Sequence, residues 1–380
     1  MVLAWLASIV GVFLVAGVIA GFMVRVPYVI ISPGDTTPLD ASVVTVDGAP
    51  TYPHDTPVEF LTVRVSNEDP SVWRYLLAKL DPDREVEKRS TVIGCLSDDD
   101  NQQLNTDLMQ QSQNDAKYVA LTRLGYDVQA SDARLVVTQA CRGVPAYGKL
   151  EVGDRIVAVD GEPVATLAEI GVAVRAHGPG EEITVTVERE GVRLDETMTT
   201  GRVTKDRTSC APVAEGDDRL RADALAGARV DARVDARAEE RAIACVGVVT
   251  QSFVDYTFPV EVEINTARVG GPSAGLAFTL AVIDDMTPGS LTGGKRVAVT
   301  GAIDVDGRVG VVGGVEQKAI TARTNRVQLM LVPKGEVRDA RRGAGEVRVV
   351  GVDTIDEALA ALQSAGGAAV PPTSTTAARS

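Results

Sequence analysis

The chain opens with an uninterrupted apolar run, VLAWLASIVGVFLVAGVIAGFMV from Val2 to Val24, in which no charged residue occurs. A helix rises about 1.5 Å per residue and a hydrocarbon core is about 30 Å thick, so residues 1–24 are predicted to form a transmembrane anchor. A cleaved signal peptide is the competing reading. Its apolar core would be shorter, preceded by basic residues and closed by an Ala-x-Ala-like site. Arg25 follows the span, which under the positive-inside rule favours a cytoplasmic C-terminal side. From Val26 to Ser66 the pattern shortens into VPYVIISPGD, VVTVDG and VEFLTVRVS, apolar or alternating segments separated by turn residues, which predict short strands. Between Asp69 and Leu124 the apolar spacing becomes three and four residues. Two helices are expected, DPSVWRYLLAKL and NQQLNTDLMQQSQNDAKYVALTRLG, the second starting among the N-cap residues of Ser97 to Asp100. Residues 25–125 therefore read as a β segment followed by a helical region.

The stretch from Leu135 to Met198 repeats the period-two pattern with a helix inside it: LVVTQA, the loop CRGVPAYGKL, a hairpin turning at Asp160-Gly161, the helical LAEIGVAVRA, then ITVTVERE and VRLDETM. Residues 205–244 contain ARVDARVDARAEERA, a four-residue near-repeat from Ala228 to Ala242 with few large apolar residues. On a helix it would stack Arg229 on Arg233 and Asp231 on Asp235, so it predicts an exposed insertion without chemistry. Residues 245–365 alternate strands and helices: VGVVT, FPVEVEI, a helix from Ser273 to Ile283, VAVTGAI, a helix from Glu316 to Thr324, QLMLVP, VRVVGV and IDEALAALQ. That order predicts an α+β or α/β domain. Gly366 to Ser380 has the composition of a disordered tail.

Composition narrows the chemistry. At 380 residues the chain holds two or three domains of ordinary size. Its formal charge of -14, with no Lys/Arg cluster, removes the driving force for binding a phosphate backbone, so nucleic acid is excluded as a partner. Two histidines, His54 and His177, and four scattered cysteines offer no metal-ligand spacing, so no metal or other cofactor is expected. The four cysteines, Cys95, Cys141, Cys210 and Cys245, fit an oxidising compartment and allow three full pairings. Cys210 with Cys245 would staple the base of the insertion and ranks first; free thiols are the alternative.

The stretch GGPSAGLAF, Gly270 to Phe278, places Ser273 between a glycine-proline turn and an apolar helix. A hydroxyl needs a neighbouring base to act as a nucleophile, and both histidines lie outside this domain. Unpaired N–H groups around Gly271 and Ala274 at the helix start would face a developing oxyanion. GGVEQKAITA, Gly313 to Ala322, supplies a second glycine turn entering a second helix, with Lys318 in its first turns. A free lysine amine has a pKa of about 10.4, so burial must depress it before it can accept a proton. Glu316 is the one nearby charge that would work against this, depending on which way the helix turns it. Taken singly, Ser273 reads as a helix cap and Lys318 as a solvated side chain.

These motifs, GPSAG, VAVTGAID, GRVGVVGGVEQKAITA and LMLVPK in that order, resemble the proteolytic domain of Lon-type serine proteases. The resemblance implies a catalytic dyad with Ser273 as nucleophile and Lys318 as general base, and it puts the family's supporting threonine on Thr300. Where the family usually carries a lysine and an acid before the serine motif, this chain has Val269 and Gly270, which bears on peptide preference. GDRIVAVDGEPV with its following helix resembles the PDZ family over residues 126–200. That implies capture of peptide C-termini or extended strands by strand addition, with Arg142, Gly143, Val144, Pro145, Ala146 and Tyr147 as the peptide-facing loop. GSLTGGKR, Gly289 to Arg296, comes close to a phosphate-binding loop, but Arg296 stands where a hydroxyl should ligate magnesium and the run precedes a strand, so no ATP is expected to be used.

The fold class expected is α+β: an N-terminal transmembrane helix, a PDZ-like β-barrel module and a Lon-type proteolytic α/β domain. The whole resembles bacterial membrane-anchored PDZ and Lon-type proteases, whose soluble part lies outside the cytoplasm, and that resemblance outweighs Arg25 in setting orientation. It implies an ATP-independent serine endopeptidase of the cell membrane acting on unfolded, membrane-associated or exported polypeptides, with a homo-oligomer as a further partner class. The strand EFLTVRVS and the Trp73 helix are then expected to belong to the protease fold, with the PDZ-like module inserted. The alternative is a membrane-tethered PDZ scaffold whose Lon-like domain is catalytically silent.

Overall fold

The computed structural model describes residues 5, 11, 16–66, 68–203, 210–213, 243–266 and 269–370. Residues 1–4, 6–10 and 12–15 of the expected anchor lie outside the described residues, as do Ala228–Ala242 and the tail from residue 371 on. Residues 16–23 are helical. Among the described residues, no helix is long and apolar enough to cross a membrane.

In chain order the elements are β1 (Tyr28–Pro38), β2 (Val44–Asp47), β3 (Glu59–Val65), α1 (Val72–Leu80), β4 (Glu85–Lys88) and the long helix α2 (Asp98–Arg123). There follow β5 (Arg134–Ala140), β6 (Arg155–Val159), α3 (Leu167–Ala176), β7 (Glu182–Arg189), β8 (Val192–Thr199) and β9 (Val248–Phe253). The last part holds β10 (Glu261–Ile264), α4 (Gly275–Met286), β11 (Val297–Val299), α5 (Val315–Thr324), β12 (Leu329–Pro333), α6 (Val337–Ala344), β13 (Arg348–Val352) and α7 (Ile355–Ser364). Ser97 Oγ accepts from the N–H of Asp100 at 3.1 Å and caps α2 where the N-cap residues cluster.

The chain divides into two compact units. The first comprises residues 1–93, 102–129 and 256–380. Its six-stranded sheet runs β13-β12-β11-β3-β1-β4. β3, β11, β12 and β13 are parallel neighbours, and β1 is antiparallel to both β3 and β4. VAV of β11 and LMLVP of β12 are buried at every position, as expected of strands covered on both faces. Helix α4 is apolar around its circumference and buried from Gly275 to Asp284, so it lies within the core, where Phe278 meets Phe60 of β3 edge to face at 5.7 Å between ring centroids. The pairing of β3 with β11, Ala298 opposite Glu59, places EFLTVRVS in the same fold as the last hundred residues, as the resemblance implied. β1, β3 and β4 share the six-stranded sheet with β11, β12 and β13, while β2 pairs with β10.

The second unit comprises residues 94–101 and 130–255. Its antiparallel sheet runs β8-β7-β6-β5-β9, with α3 packed against it. Thr166 and Glu169 form a capping box at the start of α3. Asp160 and Gly161 take the positive φ values, 50° and 81°, that the expected hairpin turn requires. The buried carboxylate of Asp154 receives two bonds of 2.7 Å from the guanidinium of Arg189. Cys95 is joined to Cys141 and Cys210 to Cys245. One boundary differs from expectation: Val248–Phe253, which begins the expected 245–365 domain, instead pairs with β5 as the edge strand of this sheet. Strand pairing follows available sheet edges, not sequence order.

Candidate active site

Ser273 sits in the turn ahead of α4. The helix begins at Gly275 with Ala274 as its N-cap and no side-chain cap, so Ser273 does not cap it. Gly271 adopts φ 87°, a left-handed conformation that suits glycine, and its N–H donates to the carbonyl of Asn105 on α2 at 2.8 Å. A second bond from α2 holds the same turn: Ser112 Oγ donates to the carbonyl of Pro272 at 3.1 Å. Sequence reading missed both residues, because only the fold lays α2 along the serine turn. The expected oxyanion role of Gly271 is corrected by this geometry, since its N–H is already committed. The N–H groups of Ser273 and Ala274 donate to no acceptor among the described residues.

The Ser273 carbonyl accepts from the Gly301 N–H at 2.9 Å and from Thr300 Oγ1 at 3.1 Å. Thr300 follows β11 directly and is fully buried. Its hydroxyl in turn accepts from Nζ of Lys318 at 3.1 Å. Lys318 projects from the first turns of α5, whose N-cap Gly314 has φ 63°; a Cβ there would lie 2.9 Å from Val63 Cγ1. Only 2% of Lys318 is exposed, which makes it one of the largest fully buried side chains of the chain. Burial pulls its pKa down to about 8, and the carboxylate of Glu336 acts in the opposite direction. Glu336 is itself raised by burial, and it accepts from the Val312 N–H at 3.0 Å. Glu316, the charge expected from sequence to oppose the lysine, is turned away into an ion pair with Arg342 at 2.7 Å. The structure thus brings Thr300 and Lys318 together and ties both to the backbone of Ser273. No direct bond joins the serine hydroxyl to the lysine amine.

Residues 241–363 match the Lon protease (S16) C-terminal proteolytic domain. That match includes Ser273, Thr300 and Lys318. Residues 122–200 match a PDZ domain. Lon protease 2 of Herpetosiphon aurantiacus is 34% identical over 108 residues, 26% of this chain, and the Lon protease of Roseiflexus castenholzii is 37% identical over 104 residues, 26% of this chain. This chain spans 13% of the length of each. Among solved structures, the PDZ domain of an SdrC-like protein from Listeria monocytogenes is 19% identical, with 24% of this chain and 94% of that chain covered and a TM-score of 0.20. The Lon-type match supports a serine protease.

Neither histidine is a hydrogen-bond partner of Ser273 or Lys318 among the described residues. His54 contacts Asp284, toward the other end of α4, and His177 of the second unit contacts Asp160. The decoy run ahead of β11 is committed structurally, with Arg296 paired to Glu59 at 2.8 Å and Lys295 bonded to the carbonyl of Ala365. In the PDZ unit the loop Arg142–Tyr147 is closed on itself and on its neighbour. Arg142 Nε donates to the Tyr147 hydroxyl at 3.0 Å, and the N–H of buried Ala146 donates to the Val246 carbonyl at 3.0 Å. The open sheet edge beside α3 is β9. That strand lies outside the matched residues 122–200.

Proposed function

We propose that the chain is an ATP-independent serine endopeptidase whose dyad is Ser273 and Lys318. The observation that carries this reading is the buried lysine amine, its pKa lowered to about 8, held on the hydroxyl that also binds the Ser273 carbonyl. In this mechanism the Ser273 side chain turns toward the amine and Oγ attacks the scissile carbonyl carbon while Lys318 Nζ takes the hydroxyl proton. The N–H groups of Ser273 and Ala274 receive the oxyanion. The ammonium then returns its proton to the leaving amine, and water repeats the sequence on the acyl-enzyme. The proposed substrates are unfolded or exported polypeptides.

In this proposal the PDZ unit selects substrates by adding an extended peptide to the open edge of β9, beside the exposed Leu167 and Val172 of α3. The uncharged segment Val2–Val24 anchors the enzyme as a single pass, with its folded units outside the cytoplasm. The two disulfides support that compartment. The test incubates the full chain, in detergent micelles, with a fluorescently labelled unfolded protein. Cleavage that disappears in both Ser273→Ala and Lys318→Ala is expected. Cleavage that survives either substitution removes the dyad, and no cleavage by the parent between pH 7 and 10 leaves an anchored binding protein.

A further inference from the structure

Helix α1 carries Trp73, Leu76, Leu77 and Leu80 at the i, i+3, i+4, i+7 spacing of one helix face. In a globular fold that stripe turns inward. Here the buried residue of α1 is Ala78, and the leucines are 43%, 64% and 81% exposed in chain order. The stripe is continuous with the end of the N-terminal apolar segment. Trp73 Nε1 donates to the carbonyl of Val18 at 2.9 Å, and its ring lies so close over Gly21 that a Cβ there would fall 2.3 Å from Nε1. Backbone bonds lock the two together: Val72 N–H to the Val24 carbonyl at 3.1 Å, and Val26 N–H to the Pro70 carbonyl at 3.0 Å. Phe22, 62% exposed, stands beside the Trp73 ring at 6.5 Å between centroids.

We infer that α1 is an interfacial helix that lays its leucine face into the bilayer and seats the protease unit on the membrane surface. The inference rests on the proposed anchoring by Val2–Val24. If that segment spans, Val18 lies about 9 Å before its end at Val24, counted along the helix axis. An indole bonded there sits at the depth where tryptophan anchors membrane proteins. The exposed Arg74 and Lys79 flank the stripe, where long cationic side chains reach back to water with their stems along apolar surface. With a formal charge of -14 the chain has no general attraction to anionic lipid, so apolar burial drives the contact and zwitterionic lipid suffices.

The experiment reconstitutes the full chain in phosphatidylcholine vesicles with and without bromine on the acyl chains. Two variants each carry a single tryptophan: Trp73→Phe, which leaves Trp5 to report the anchor, and Trp5→Phe/Trp73→Phe/Leu80→Trp, which reports the far end of the stripe at a solvent-exposed position that folding does not depend on. Bromine is expected to quench both at least twofold, unchanged by 0.5 M salt. Adding Leu77→Glu to the second variant is expected to abolish quenching at position 80 while leaving cleavage of an unfolded protein in micelles unchanged. Quenching of Trp5 without quenching at position 80 overturns the interfacial helix while the anchor stands, including the case where emission at position 80 is blue-shifted by a second copy of the chain. Quenching of neither removes the anchor, and this inference with it.

Discussion

The amine of Lys318 and the hydroxyl of Thr300 are joined by a buried hydrogen bond of 3.1 Å. Thr300 spends its own proton on the Ser273 carbonyl, so it can only accept from the lysine. Thr300→Val keeps the shape and deletes that acceptor. The expected result is a fall in kcat of about 10- to 100-fold with KM little changed, from about 1–3 kcal/mol of lost positioning. Thr300→Ser should restore most of the rate.

In the proposed dyad the lysine sets the pH profile. With its pKa at about 8, the neutral form that accepts a proton grows as pH rises, so kcat/KM should climb about tenfold per unit below pH 8 and level off above it. The Glu336 carboxylate holds this pKa up. Glu336→Gln keeps an acceptor for the Val312 N–H and removes the charge, and is therefore expected to move the acid limb to lower pH. A limb that moves upward, or stays, would remove Glu336 from this role.

Stability should carry the opposite mark of the same amine. Below about pH 8 the lysine is protonated in both folded and unfolded chains, and the folded one holds the charge in a poor environment. Between about 8 and 10.4 the unfolded chain binds more protons, so stability rises with pH through that window. Lys318→Met, which removes the charge, is expected to raise stability at pH 7 by about 1–3 kcal/mol, with the difference closing by pH 10.4, as read by denaturant titration at each pH.

Helix α2 holds the serine turn from one side. Ser112→Ala deletes its bond to the Pro272 carbonyl and is expected to cost about 1 kcal/mol in stability. A several-fold fall in kcat should accompany it, because the Ser273 and Ala274 N–H groups lose their fixed aim. A loss of stability with kcat intact would reduce Ser112 to packing.

Val172 is 64% exposed on α3, the helix packed against the sheet that β9 completes. Val172→Glu is expected to raise KM for long unfolded substrates several-fold with kcat and thermal stability unchanged, and to leave short peptides that reach only the dyad unaffected.

Much of the site is legible along the chain because it is made of local devices. The glycines of GGPSAG and GGVEQK mark turns entering helices, and the all-apolar VAV and LMLVP mark strands covered on both faces. Such features depend on neighbours three or four residues away, and period and turn chemistry record them.

The sequence alone determined the order of elements, the hairpin at Asp160-Gly161, the two glycine turns and the residue types offered for chemistry. Only the tertiary structure decided that Glu336 rather than Glu316 faces Lys318, that Asn105 takes the Gly271 N–H, that β3 lies beside β11, and that β9 completes the sheet of the second unit. Each of these joins residues from distant parts of the chain through sheet edges and buried surfaces. A desolvated amine or an occupied N–H depends on what packs against it in three dimensions, and periodicity along one strand or helix carries no record of a partner supplied from elsewhere in the fold.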